Sequence, residues 1–221
     1  MQEGKSMEWF EYGSPDARIV LLQPVGEHDL GAAEREFAII QESAAVEFRL
    51  AAFRVGDWNA ELSPWKAPAV FGQEDFGGGA EETLGRVLEF CVDRTKTYLL
   101  GGYSLAGLFA LWAACRTDLF RGVAAASPSV WFPGFAEYMR ENRMRSRHVY
   151  LSLGDKEEKA RNPVLATVGD EIRSAYELLS RQGVDCVLEW NKGNHFRDAD
   201  LRTAGAFSWV LNRMDESGRR D

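Results

Sequence analysis

The stretch that decides the fold is "KTYLLGGYSLAGLFALWAAC", residues 96–115. An apolar run leads into two glycines, is interrupted at Tyr103 and Ser104, and resumes at once with helical spacing. This pattern predicts a buried strand joined to a helix by almost no loop. A serine at such a junction is either a nucleophile on a sharp turn or a small residue in a short connection. The surrounding sequence must distinguish the two.

Outward from this stretch, apolar segments of strand length alternate with amphipathic segments of helical spacing. Predicted strands cover 17–25, 47–55, 97–102, 122–131, 147–154 and 184–190, and predicted helices cover 33–45, 80–94, 105–116, 135–142, 164–183 and 201–214. This alternation predicts a mostly parallel central sheet with helices on both faces. We expect one domain over residues 1–221, with no large cap domain and an irregular stretch before Gly79.

Composition excludes several function classes. The net charge of −8 offers no general basic surface, so we expect neither nucleic-acid nor membrane binding. The first ten residues lack the pattern of a signal peptide, and no apolar run reaches the length of a membrane span. The three cysteines are widely spaced in apolar segments, so we expect reduced core residues of a cytoplasmic protein.

The residues around Ser104 are those that a nucleophile elbow requires. Such a turn holds its serine in strained geometry, so the residues two before and two after must be small. Here they are Gly102 and Ala106, followed by Gly107. The pattern G-x-S-x-A-G departs from G-x-S-x-G at one position, where alanine is still small. With a strand before it and a helix after it, Ser104 is predicted to be a nucleophile.

The segment "GGYSLAGLFALWAA" (101–114) resembles the elbow of α/β-hydrolases, in particular the esterase group that includes esterase D and the enterobactin-type esterases. The resemblance is specific at this elbow and at "NKGNHF" (191–196), and loose elsewhere. It implies an α/β-hydrolase fold and a Ser-acid-His triad in that chain order.

The base is predicted by elimination among three histidines, because imidazole suits proton transfer near neutral pH. His148 precedes a strand in a basic cluster, at the wrong edge of the sheet, and is expected at the surface. His28 follows the first apolar strand, beside a loop where the catalytic base is not expected. His195 follows the last strand and precedes the last helix, where α/β-hydrolases keep their catalytic histidine.

The acid is expected on the loop after the strand 147–154, where the sequence offers Asp155, Glu157 and Glu158. Many hydrolases of this fold place the acid three residues past the glycine that ends the strand, and this favours Glu157. Asp155 is the alternative because its short side chain follows that glycine directly.

An acyl-transfer site also needs N–H donors for the oxyanion. One is expected from the backbone of Leu105, just after the nucleophile. The other is expected from Val25, because "LLQPVG" occupies the place of a His-Gly turn in many family members and Pro24 has no N–H.

Tryptophans after two of the strands are candidates for a substrate pocket, since pockets are mostly apolar. Trp58 and Trp131 either line such a pocket or pack beneath neighbouring elements. Phe71 and Phe76, in the same irregular stretch as Trp58, are expected to pin that loop to the body of the protein.

These observations predict a serine hydrolase that cleaves a small-molecule ester through an acyl-enzyme, without cofactor or metal. Acyl transfer, or thioester or peptide cleavage, would use the same machinery. A non-catalytic binding protein on this fold is the alternative from another class. Nucleotide binding is disfavoured because "QPVGEHDLG" lacks the glycine fingerprint.

Overall fold

The computed structural model describes residues 7–27 and 30–218, so His28 lies outside the described residues. Its strands are β1 (Trp9–Gly13), β2 (Ile19–Val25), β3 (Phe48–Arg54), β4 (Lys66–Ala67), β5 (Phe76–Gly77), β6 (Thr97–Tyr103), β7 (Phe120–Ala126), β8 (His148–Gly154) and β9 (Asp185–Asn191). Its helices are α1 (Leu30–Ser43), α2 (Trp58–Leu62), α3 (Ala80–Phe90), α4 (Leu105–Arg116), α5 (Phe135–Glu141), α6 (Pro163–Ala166), α7 (Val168–Arg181) and α8 (Ala199–Gly218).

Seven strands form the central sheet in the order β1-β3-β2-β6-β7-β8-β9. Only the edge pair β1–β3 in this sheet is antiparallel, and β4 and β5 form a separate two-stranded ribbon. Helices cover both faces: α1 and α8 pack on one, while α4 and α7 pack on the other. The predicted α/β class is confirmed.

Alternating strand residues feed the two cores, as expected for a sheet buried on both sides. In β2, Val20 and Leu22 belong to the core on the α4 side, whereas Leu21 and Val25 belong to the core on the α8 side. Helix α4 is buried along almost its whole length, from Leu105 to Cys115. A helix that is apolar on every face is stable only in such a position, which makes α4 the central support of the site above it.

The structure departs from the predicted elements in several places, and three of them illustrate the reasons. Strand β1 was not predicted, because five residues with alternating exposure at a sheet edge carry a weak apolar signal. The predicted strand 122–131 ends at Ala126, since Ser127 adopts a positive φ of 41° and Pro128 follows it. The predicted helix 164–183 is divided into α6 and α7 at Thr167.

The parallel strands bring their carboxyl ends to one edge of the sheet, and the residues that follow them meet there. Ser104 follows β6, Glu157 follows β8, and His195 lies between β9 and α8. Among the described helices, none is both long and apolar enough to cross a membrane.

Candidate active site

Ser104 occupies a strained turn between β6 and α4. Its φ of 56° and ψ of −119° lie where a side chain is rarely found, and such geometry costs about 1–3 kcal/mol. Backbone hydrogen bonds hold it: Ser104 N donates to Ala126 O at 3.0 Å, while Ser104 O accepts from Leu108 N and Ser129 N, both at 3.1 Å. These bonds therefore hold the backbone of Ser104 in one conformation at the carboxyl edge of the sheet.

The elbow's departure from the usual glycine at position 106 has a steric explanation. A Cβ placed on Gly102, whose φ is +154°, would lie 2.6 Å from the Cβ of Ala106. The methyl group of Ala106 thus fills the space above Gly102 and is itself buried. A side chain can be accommodated at position 106 because position 102 has none.

His195 bridges the serine to a carboxylate. Its Nε2 lies 3.0 Å from Ser104 Oγ, and its Nδ1 lies 2.7 Å from Glu157 Oε2. An ionised carboxylate only accepts hydrogen bonds, so Nδ1 carries the proton and Nε2 of the neutral ring accepts from the serine hydroxyl. This is the tautomer that a general base needs.

Glu157 begins a short 3₁₀ turn after β8, and its side chain is only 5% exposed. Its Oε1 accepts from Gly154 N at 2.7 Å, from Ser127 Oγ at 2.9 Å and from Arg202 Nη1 at 3.2 Å. Burial by itself raises the pKa of Glu157, but hydrogen bonds from His195, Gly154 and Ser127 outweigh burial and bring the pKa below its ordinary value. The carboxyl group is therefore ionised at neutral pH.

The other two candidate acids lie elsewhere. Asp155 Oδ1 accepts from Gly193 N at 2.9 Å, and this bond lowers the pKa of Asp155. The bond ties the loop after β8 to the loop that carries the histidine. Glu158 Oε2 pairs with Arg173 Nη2 at 2.8 Å. Of the three acids, the structure brings only Glu157 to the imidazole.

The order of the strands places the two expected oxyanion donors next to the segment that carries Ser104. Leu105 is the first residue of α4, so its N–H has no intrahelical partner. Val25 is the last residue of β2, the strand beside β6. Leu22 is opposite Leu100 in these strands, and three further residues bring Val25 to the level of Tyr103. Their role as donors stays a prediction.

Four residues that the sequence analysis did not single out also contribute to the site: Tyr103, Ser127, Ser129 and Arg202. Ser129 Oγ lies 3.2 Å from Ser104 Oγ, and Arg202 Nη1 contacts the hydroxyl of Tyr103 at 3.0 Å. Burial raises the pKa of Tyr103, so this hydroxyl is neutral. The "SPS" at the end of β7 was a signal for the two serines, whereas no local pattern indicates Arg202.

The four aromatic residues considered in the sequence analysis differ in how deeply they are buried. Trp131 is half-buried, with its ring centroid 5.8 Å from that of Phe71 and 6.2 Å from that of Phe76. Phe76 is buried and pins the loop as expected, but Phe71 is 50% exposed. Trp58 opens α2 and packs half-buried against the core on the α4 side. Substrate contact by Trp58 and Trp131 stays a prediction.

His148 differs from expectation. At the amino end of β8, its side chain is 13% exposed and its Nδ1 lies 2.9 Å from Asp185 Oδ2. It is therefore mostly buried in a hydrogen bond between β8 and β9 and is not a surface residue. Its distance along the strand from the carboxyl edge keeps it away from Ser104.

A cavity of about 330 Å³ lies between α5 and α7, lined by residues such as Phe135, Met139 and Leu178. None of Ser104, Glu157 and His195 lines it. The hydrogen-bonded Ser104 is better evidence for the location of the active site than this cavity. Within residues 7–27 and 30–218, no group of three or more histidine, cysteine or acidic side chains is arranged to hold a metal ion.

Solved structures share this architecture. An IroE-like serine hydrolase from Shewanella oneidensis matches with a TM-score of 0.70 and 13% identity, over 93% of this chain and 76% of that one. The siderophore hydrolase EstA from Aspergillus nidulans matches with a TM-score of 0.64 and 18% identity, over 95% of both chains. The enterobactin esterase FES from Shigella flexneri matches with a TM-score of 0.62 and 13% identity, over 93% of this chain and 55% of that one.

No protein-family model and no curated protein sequence matches this chain. The structural likeness shows that this chain has the α/β-hydrolase fold, as the elbow predicted. Function has to be argued from the site, because one fold hosts many activities.

Proposed function

We propose that this protein is a serine hydrolase that cleaves a carboxylic ester of a small molecule. One observation carries the proposal: Ser104 Oγ, the two ring nitrogens of His195 and Glu157 Oε2 form an unbroken line with separations of 3.0 and 2.7 Å. The hydroxyl at the start of this line is held in a strained turn at the carboxyl edge of the sheet. The names of the similar structures, which include several esterases, support the same reaction class.

In the proposed reaction, Ser104 Oγ attacks the carbonyl carbon of the ester as His195 Nε2 takes the hydroxyl proton. Glu157 holds the ring and stabilises the imidazolium that forms. The backbone N–H groups of Leu105 and Val25 stabilise the negative oxygen of the tetrahedral intermediate. The alcohol leaves with the proton from Nε2, and the acyl group remains on Ser104.

Water then attacks the acyl-enzyme. His195 Nε2 takes a proton from the water, and the second tetrahedral intermediate collapses to the free acid as that proton returns to Ser104 Oγ. In this scheme, these residues orient the reacting groups and transfer the protons, and no cofactor takes part.

The substrate side of the site is proposed to be aromatic. The half-exposed ring of Phe71 lies edge-on to Trp131, at an interplanar angle of 78°. Trp131 follows Ser129, whose hydroxyl adjoins the nucleophile. An apolar acyl or alcohol group would lie against these rings, and Trp58 would extend the same surface from α2. We further infer a cytoplasmic location, because all three cysteines are free thiols.

The test is intact mass after incubation with a fluorophosphonate. Wild-type protein is expected to gain one phosphonyl group, Ser104→Ala none, and His195→Ala the same group at least 10²-fold more slowly. Ser129→Ala is the matched control, since it removes the neighbouring hydroxyl and should still be labelled. Folded wild-type protein that gains no adduct, or an adduct that persists in Ser104→Ala, would contradict the proposal.

A further inference from the structure

Arg202 lies in the first turn of α8, and its side chain is only 4% exposed. Its Nη1 lies 3.2 Å from Glu157 Oε1, 3.0 Å from Tyr103 OH and 3.4 Å from Ser127 Oγ. Its Nη2 donates to the carbonyl of Lys192 at 3.0 Å. One guanidinium therefore contacts β6 and the segments that follow β7, β8 and β9.

A buried cation is costly unless its hydrogen bonds and its charge are both satisfied. The planar fork of arginine satisfies both here, because one nitrogen faces the carboxylate and the other faces a backbone carbonyl. Glu157 uses Oε1 for the arginine and leaves Oε2 for His195. Together with Gly154 N and Ser127 Oγ, Arg202 occupies one oxygen of the carboxylate and leaves the other for the imidazole.

A second connection reaches His195 through its backbone. The hydroxyl of Tyr103 accepts from Arg202 Nη1 and donates to the carbonyl of His195 at 2.8 Å. The third connection is Lys192, three residues before His195 on the same loop. The ring and the backbone of His195 are both held by groups that contact Arg202.

We propose that Arg202 is a positioning residue, which holds Glu157 and the His195 loop in register for proton transfer and limits with its charge how strongly Glu157 attracts the proton of His195. This inference rests on the proposed serine hydrolase. It adds a residue on α8 that does not touch the reacting atoms.

The direction in which the charge of Arg202 affects the pH–rate profile can be predicted. Glu157 accepts a hydrogen bond from His195, and Arg202 contacts the same carboxylate with a positive charge. Without the arginine, the carboxylate would attract a proton on the imidazole more strongly, so we expect the acid limb of the pH–rate profile to move upward. A nearby charge of this kind changes a proton equilibrium by on the order of one pH unit, so we expect the limb to move by about that amount.

Other charged and titratable groups around the pair stay constant in the test. They include Tyr103 from β6, Tyr150 from β8 with its partner Glu189, the Asp155–Lys192 pair, the Glu158–Arg173 pair and the Arg197–Asp198 pair. A change in the profile can then be attributed to position 202.

The experiment measures the rate of phosphonylation at Ser104 from pH 4 to 9, with kcat and KM for an activated aryl ester. Arg202→Met removes the charge at similar length, and Arg202→Lys keeps the charge without the fork. Arg35→Met is the control, because it removes an exposed arginine that pairs with Asp200 on α8 at 3.2 Å. Circular dichroism checks that each variant is folded.

In Arg202→Met we expect the acid-limb midpoint about one pH unit higher and kcat about 10-fold lower, with KM nearly unchanged. In Arg202→Lys we expect the wild-type midpoint and a kcat a few-fold lower. Arg35→Met should match wild type.

Folded Arg202→Met with the wild-type midpoint and kcat would overturn the inference while leaving the hydrolase intact. Wild-type protein without an adduct at Ser104 would instead overturn the proposed function. If Arg202→Met does not fold, Arg202→Lys decides: wild-type kcat would overturn positioning by the fork, and a raised midpoint would overturn the role of the charge.

Discussion

The polar side and the aromatic side of the candidate site are built in different ways. On the polar side, Glu157, Ser127 and Arg202 are buried and joined to one another by hydrogen bonds. On the aromatic side, Phe71 is 50% exposed and Phe196, next to His195, is 89% exposed. Hydrogen bonds are directional and ring contacts are not.

The polar side is suited to holding atoms in exact positions, whereas the aromatic side is suited to accommodating different substrates. A chain of proton transfers needs its atoms within tenths of an ångström, and a fully bonded buried network supplies that rigidity. A surface that receives varied apolar groups benefits from rings that tilt and slide. We therefore expect substitutions on the polar side to change kcat and substitutions on the aromatic side to change KM.

The largest effect is expected from Glu157→Gln. The amide keeps the size of the side chain but cannot hold the imidazole in the required tautomer, so kcat should fall about 10³- to 10⁴-fold. Steady-state kinetics on an activated ester would measure it. Glu158→Gln is the matched control, since its carboxylate pairs with Arg173, and its kcat should stay within a few-fold of wild type. Equal losses in the two variants would contradict the assignment of the acid.

The next largest effect concerns the elbow beneath the polar side. Gly102→Ala would place a methyl group 2.6 Å from the Cβ of Ala106, at a φ that disfavours any side chain. We expect a loss of about 3 kcal/mol in the free energy of unfolding, measured by urea denaturation.

The matched control for that variant is Gly205→Ala in α8, where an added Cβ meets nothing within 4 Å. Helix propensity predicts a gain of about 0.5–1 kcal/mol there. A neutral Gly102→Ala would mean that the strand and helix can separate at the elbow.

The pH dependence of stability tests the buried carboxylate. The pKa of Glu157 in the folded protein is below its ordinary value of 4.5, so ionised Glu157 stabilises the fold above that pH. This contribution is lost as the pH falls through the folded-state pKa. The free energy of unfolding of wild-type protein should therefore decrease below about pH 4.5 more steeply than that of Glu157→Gln, as measured by urea denaturation from pH 3 to 7. Parallel curves for the two proteins would contradict the bonded carboxylate.

The smallest effect is expected on the aromatic side. Phe71→Ala removes a half-exposed ring that contacts Trp131 and Phe76, so stability should fall by only about 1 kcal/mol. KM for an aryl ester should rise several-fold with little change in kcat, and KM for an acetyl ester of a small aliphatic alcohol should stay constant. A fall in kcat equal to that of Glu157→Gln would remove the distinction between the two sides.

Much of the fold was predictable because its signals are local. Helix α4 was predicted at its observed bounds, 105–116, since a long apolar run with helical spacing leaves little ambiguity. Strand β1 and helix α2 were missed, because five residues each are too few for a period to emerge.

The site was predictable to the extent that its residues follow strand ends. Ser104 has small residues two positions before and two positions after it, and His195 lies before the last helix; both carry such signals. The acid was narrowed to three candidates within four residues, and the resemblance to known hydrolases favoured the one that meets His195. Arg202 carried no signal, because nothing in an amphipathic helix distinguishes a buried arginine from a solvated one.

The sequence by itself determined the alternation of the longer strands and helices, the sharp turn at Ser104 and the single histidine after the last strand, since periodicity and small residues act over a few positions. Only the tertiary structure decided which carboxylate meets His195 and that Arg202, Tyr103 and Ser127 surround it. Those contacts join residues 30 to 99 positions apart. They exist because parallel strands bring their carboxyl ends to one edge, and no local pattern encodes that distance.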